Sequence, residues 1–95
     1  MFTLQIEHPV SNYEAWKKIF DSDPAGRQKN GVIRYTIYRS MDDPNLVIGE
    51  LVFEEKDKAE RFLQALRGIW GNMAGNVIGN PKGRILEEVE SKNYQ

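Results

Sequence analysis

A chain of 95 residues, 40% hydrophobic and 28% charged, has room for one folded domain spanning 1–95 and only a thin core. Thirteen basic residues against fourteen acidic ones leave a net charge of -1, without the basic footprint of a nucleic-acid binder. No cysteine and a single histidine exclude disulfides, thiolate chemistry and a histidine- or cysteine-built metal site within one chain. No apolar run approaches the ~20 residues of a membrane helix. The start MFTLQIEHP lacks the charged head and long apolar core of an export signal, so the expected location is the cytoplasm.

FTLQIEH alternates as a strand, with Phe2, Leu4, Ile6 and His8 on one face and Thr3, Gln5 and Glu7 on the other. Pro9 gives no ladder donor and holds His8 extended, which ends the strand. Ser11 and Glu14 have the spacing of a capping box. The next helix carries Tyr13, Trp16 and Phe20 on one stripe, with Lys17 and Lys18 toward its exposed C-terminal half. Asp23, Pro24 and Gly31 predict a further short helical turn, as N-cap, first residue and stop. VIRYTIYR is a second strand, with Ile33, Tyr35, Ile37 and Arg39 on one face and Val32, Arg34, Thr36 and Tyr38 on the other. SMDDPN is a turn with Pro44 and Asn45 at its centre. NLVIGELVFEE then pairs back as the third strand, apolar on both faces, and Gly49 within it suggests a bulge or the close approach of another group. KDKAERFLQALRGIWGNM is the longest helix, with a stripe of Ala59, Phe62, Leu63, Leu66, Ile69, Trp70 and Met73 and a stop at Gly71. A Gly- and Asn-rich loop, either a lid over 71–83 or an ordinary connection, leads to the last strand, RILEEVE.

The order β-α-β-β-α-β predicts an α+β, ferredoxin-like fold: a four-stranded antiparallel sheet with both helices on one face. The other face would be bare. The third strand has apolar side chains on both of its faces, and burying two or three more contributes roughly 1.5–3 kcal/mol each. The expected partner is therefore a second copy of the chain, sheet against sheet, in a homodimer or a higher oligomer.

Several segments carry a resemblance to a known family. They are HPVSNYEAWKKIF at 8–20, DPAGR at 23–27, GVIRY at 31–35, DDPN at 42–45 and AERFLQALR at 59–67. Over nearly its whole length the chain resembles a little-characterised bacterial group in the antibiotic-biosynthesis-monooxygenase-like superfamily of dimeric α/β barrels, some members of which are labelled cyclases. The resemblance implies pairing of two sheets into a barrel. The activities it implies are diverse: cofactor-free oxygenation of polycyclic phenols, haem degradation, lactone isomerisation and polyketide cyclisation. The haem-degrading branch uses an asparagine, a tryptophan and a helix-borne histidine. Here Trp70 is on the second helix but the only histidine is on the first strand, a departure from that pattern.

His8 is the one side chain whose ordinary pKa lies near neutrality. It reads either as a general base at the mouth of an apolar cleft or as a strand-end histidine bonded to backbone or water. Trp16, Phe20, Tyr35 and Trp70, with Arg39, read either as a substrate pocket between helices and sheet or as plain core. Asp21 and Asp23 suit a helix end better than a metal loop, and Arg27 suits a solvated surface better than a ligand contact. The expectations are no metal, no cofactor and an apolar small molecule as ligand. The function is a cofactor-independent monooxygenase- or cyclase-like enzyme acting on an aromatic or polyketide-like compound, or else a non-catalytic homodimer that binds a small molecule or serves in stress physiology.

Overall fold

The structure, a computed structural model, describes the backbone of residues 1–73 and 81–95, and side chains up to residue 71 and from 81 onward. Its elements are β1 (Phe2–Pro9), α1 (Tyr13–Ser22), β2 (Val32–Arg39), β3 (Leu46–Phe53), α2 (Lys56–Met73) and β4 (Lys82–Glu87). The strands form one antiparallel sheet in the order β2-β3-β1-β4. This is the ferredoxin-like β-α-β-β-α-β arrangement expected from the sequence. Among the described residues no helix is long and apolar enough to cross a membrane.

The alternation in β1 places Leu4, Ile6 and His8 in the interior. Register then aligns three rows of residues across the face that carries the helices. Arg39, Val47 and His8 form one row; Ile37, Gly49, Ile6 and Gly83 the next; Tyr35, Leu51, Leu4 and Ile85 the third. Ala59, Phe62 and Leu63 of α2 pack on Leu4, Ile6, Leu51 and Phe53, and Trp16 of α1 packs on Val10 and Val47.

Several local expectations are corrected. The N-cap of α1 is Asn12, not Ser11: its extended backbone (φ -156°) lets Oδ1 accept the Ala15 N–H at 2.9 Å. Asn and Ser are equally good caps, and the extended residue directly before Tyr13 is Asn12. Asn12→Ala should lower stability by about 0.5–2 kcal/mol in urea denaturation. Neither Lys17 nor Lys18 reaches the last turn of α1; Lys17 instead pairs with Asp21 at 2.6 Å. Residues 24–31 form turns rather than a short helix. Asp23 is the left-handed C-cap of α1 (φ 55°), donating its N–H to the Phe20 carbonyl at 3.1 Å. Its carboxylate does cap the adjoining turn, accepting the Arg27 N–H at 2.8 Å.

In β2 a register shift between Val32 and Arg34 inverts the expected parity at the strand's start. Val32 is buried opposite Phe53, and Ile33 stands 50% exposed. One inserted residue moves a side chain to the other face. The irregularity is therefore here and not at Gly49, whose pairing is continuous on both sides. The hairpin turn is as expected, closed by Leu46 N–H to the Asp43 carbonyl at 3.0 Å around Pro44 and Asn45. Gly71 does not end α2, which continues to Met73, and β4 spans 82–87 rather than 84–90. The 71–83 loop thus loses residues to α2 and β4, and of the remainder of the lid expectation all but Pro81 lies outside the described residues.

Candidate functional site

Between the helices and the sheet lies a cleft lined by His8, Trp16, Phe20, Tyr35, Arg27 and Trp70, among others. It encloses about 720 Å³ of non-atom space, part of it open solvent at the mouth, of which about 80 Å³ admits the centres of water molecules. A single water needs roughly 10–15 Å³ by that measure, so the described residues leave room here for several.

An aromatic row forms one side. Ring centroids of Tyr13 and Trp16 are 5.8 Å apart, those of Trp16 and Phe20 5.1 Å, and those of Phe20 and Tyr35 5.0 Å in an edge-to-face arrangement. The helical spacing of 13, 16 and 20 makes the first contacts. The last exists because β2 brings Tyr35 across to α1. His8 closes the row, its imidazole 5.5 Å from the Trp16 ring. Such pairs contribute about 0.5–1.5 kcal/mol each beyond area burial, which holds the wall rigid.

Arg27 is the residue that sequence reasoning underrated. Its side chain is 16% exposed, and its guanidinium lies 3.9 Å from the Phe20 centroid and 5.0 Å from that of Tyr35. One Nη1–H donates to the Phe20 carbonyl at 2.7 Å, and Asp23 Oδ1 is 3.6 Å from the same nitrogen. The Asp23-x-x-x-Arg27 spacing was the visible signal. The stacking on Phe20 and Tyr35 depends on tertiary approach and was not. Arg39 goes the other way: it lies over Tyr13, 4.7 Å from the ring centroid, and is not among the cleft-lining residues. Its parity is right and it shares the row of His8, but it stands on the edge strand of that row, over Tyr13. Asp21 and Asp23 face protein partners rather than each other, and among the described residues no three carboxylate or imidazole groups gather as metal ligands.

His8 is 4% exposed, and its Nδ1 has no hydrogen-bond partner among the described residues. Burial pushes its pKa below the ordinary 6.5, so the imidazole is neutral at pH 7. The unfolded chain therefore takes up this proton first as pH falls. The associated stability is whole above pH 6.5 and is lost as pH drops from there toward the folded-state value. Urea midpoints measured between pH 7.5 and 5 should decline for the native chain. His8→Phe should remove that component of the decline.

No family model matches the chain, and no curated protein matches its sequence. Its structure is similar to that of SnoaB, a cofactor-independent oxygenase from Streptomyces nogalater, with a TM-score of 0.75 and 16% identity over 95% of this chain and 94% of that one. It is similar to PA3566 from Pseudomonas aeruginosa, with a TM-score of 0.67 and 20% identity over 94% of each chain. A variant of MhuD, solved with two manganese protoporphyrin IX molecules per active site, aligns with a TM-score of 0.72 and 13% identity over 99% of this chain and all of that one. The one histidine of this chain is on β1, not on a helix. The cyclase label finds no counterpart among these structures. At such identities the likeness concerns the fold, which this chain also shares with structures described as antibiotic biosynthesis monooxygenases from Nitrosomonas europaea and Deinococcus radiodurans.

Proposed function

We propose that the chain is a homodimeric, cofactor-independent enzyme, oxygenase- or cyclase-like, whose cleft takes an aromatic or polyketide-like molecule and meets its oxygen substituent with His8. The carrying observation is His8, which lines a cleft walled by aromatic rings and whose buried Nδ1 has no hydrogen-bond partner among the described residues. An unsatisfied buried polar atom costs about 1–3 kcal/mol, which a ligand hydroxyl or carbonyl group would recover. Trp16, Phe20, Tyr35 and Trp70 form the apolar wall, and Arg27 stiffens it. Similarity in fold to a cofactor-independent oxygenase supports the reading.

Magnitudes limit what His8 does. A simple phenol has a pKa near 10, and a neutral imidazole below 6.5 is a weaker base by at least ~3.5 units, or about 5 kcal/mol. Full proton transfer from such a phenol is therefore rare. His8 orients and polarises the hydroxyl, and accepts its proton outright only from a substrate acidified by neighbouring carbonyl groups.

Anthrone provides a test that balances. Its methylene carbon takes one atom of dioxygen as a carbonyl oxygen, and its two hydrogens leave with the other as water. The expected result is oxygen uptake with anthraquinone formation by the native chain, lost in a folded His8→Phe variant. If anthrone binds and no oxygen is consumed, the oxygenase reading fails and the cleft is a binding site.

A further inference from the structure

We infer that Gly49 is a specificity-determining residue: the side chain it lacks forms the floor of the cleft and sets the size of flat ligand that fits between His8 and Tyr35. The inference rests on reading the cleft as a ligand site. Its basis is the row Ile37, Gly49, Ile6, Gly83, which holds two glycines on the helix-facing side of the sheet. Their surroundings differ. A Cβ at Gly83 would come within 2.7 Å of Leu63 Cδ1 and 3.6 Å of Trp70 Cη2, so α2 already fills that gap. A Cβ at Gly49 would meet no heavy atom within 4 Å among the described residues. One glycine accommodates the helix; the other leaves a hole among the described residues.

The hole is well placed. In register, Val47 and Leu51 flank Gly49 along β3, with His8 beside Val47 and Tyr35 beside Leu51. His8 and Tyr35 thus stand at opposite diagonals of the gap, and both line the cleft. The floor between them is bare peptide, a flat surface on which a ring can lie. Nothing in the backbone requires glycine here, since the positive-φ glycines among the described residues are Gly26 and Gly31. Glycine inside a strand also weakens it. Space for a ligand is the remaining reason for a residue that local stability disfavours.

The experiment uses Gly49→Ala, Gly49→Val and, as an internal control, Gly83→Ala. Without ligand, Gly49→Ala should raise Tm by about 2–8 °C, because the strand gains a side chain at no steric cost. Gly83→Ala should gain less than Gly49→Ala. A fall in Tm for both Gly49 variants overturns the inference, since the space would not be open. With ligand, the probe is 1-naphthol, followed by quenching of tryptophan fluorescence, because both tryptophans of the chain line the cleft. Gly49→Ala should weaken 1-naphthol by at least about tenfold and Gly49→Val further, as a methyl group misplaced in a ligand pocket does. Equal affinity in the native chain and both variants overturns the role of Gly49 while leaving the cleft as a site. A native chain that binds no 1-naphthol overturns both, and the Tm comparison then still reports whether the hole exists.

Discussion

Phe53→Ala should remove about 3–5 kcal/mol of stability, the usual cost of deleting a buried phenyl group. Phe53 ends β3, is 0% exposed and packs on Phe62 of α2 with ring centroids 5.6 Å apart. It stands between Val32 and Phe2 at one end of the sheet, so three strands and a helix meet on one ring. A chain of this length has a total stability on the order of 5–14 kcal/mol. Loss of the ring therefore removes between about a fifth and all of that stability. Phe53→Leu, which keeps most of the volume, should cost clearly less. Urea denaturation of the three chains checks this, and a loss below about 1 kcal/mol for Phe53→Ala would mean that the site collapses easily and the α2–β3 packing is not the main core.

Ile48→Lys should convert the proposed homodimer to monomer. Ile48 lies on the sheet face away from the helices, in register with Tyr38 on one side and Glu7 on the other. Nearby on the same face Gln5 Nε2 donates to Glu50 at 3.1 Å, and Tyr38 and Leu86 are 50% and 40% exposed. A face that mixes satisfied polar pairs with exposed large side chains suits a sheet-to-sheet interface. Burying Ile48 and Tyr38 there contributes about 1.5–3 kcal/mol each, and an unpaired ammonium group in their place costs more than it replaces. Because Ile48 points away from the helix-side core, the monomer fold should survive. Light scattering at micromolar concentration should give twice the 11.0 kDa chain mass for the native protein and close to the chain mass for the variant. A native chain that scatters as a monomer would remove the dimer from the account.

The elements were legible where pattern and local chemistry agree. Alternation placed Leu4, Ile6 and His8 on the helix face, and helical spacing aligned Tyr13, Trp16 and Phe20. Pro44 and Asn45 marked the hairpin turn. What the pattern did not carry was geometry that depends on a neighbouring strand. VIRYTIYR contains no glycine or proline to announce the shift that buries Val32 and exposes Ile33. Gly49 was visible as an interruption, but an interruption has several meanings until the helix side of the sheet is seen. Likewise the gathering of His8, Trp16, Phe20, Tyr35 and Trp70 followed from faces and periods. Arg27 entered and Arg39 left the cleft through contacts between α1 and β2 that no local motif encodes.

The central claim is that His8 stands neutral in a cleft that receives an oxygen-bearing aromatic ligand. The chain has one histidine, so its imidazole resonances in NMR are unambiguous. A pH titration of the His8 ring with and without 1-naphthol is the direct measurement. The account predicts a titration midpoint below 6.5 in the free protein and a shift of the ring nitrogen resonances at pH 7 when 1-naphthol is added. A midpoint at or above 6.5, with ring resonances indifferent to the ligand, would contradict it.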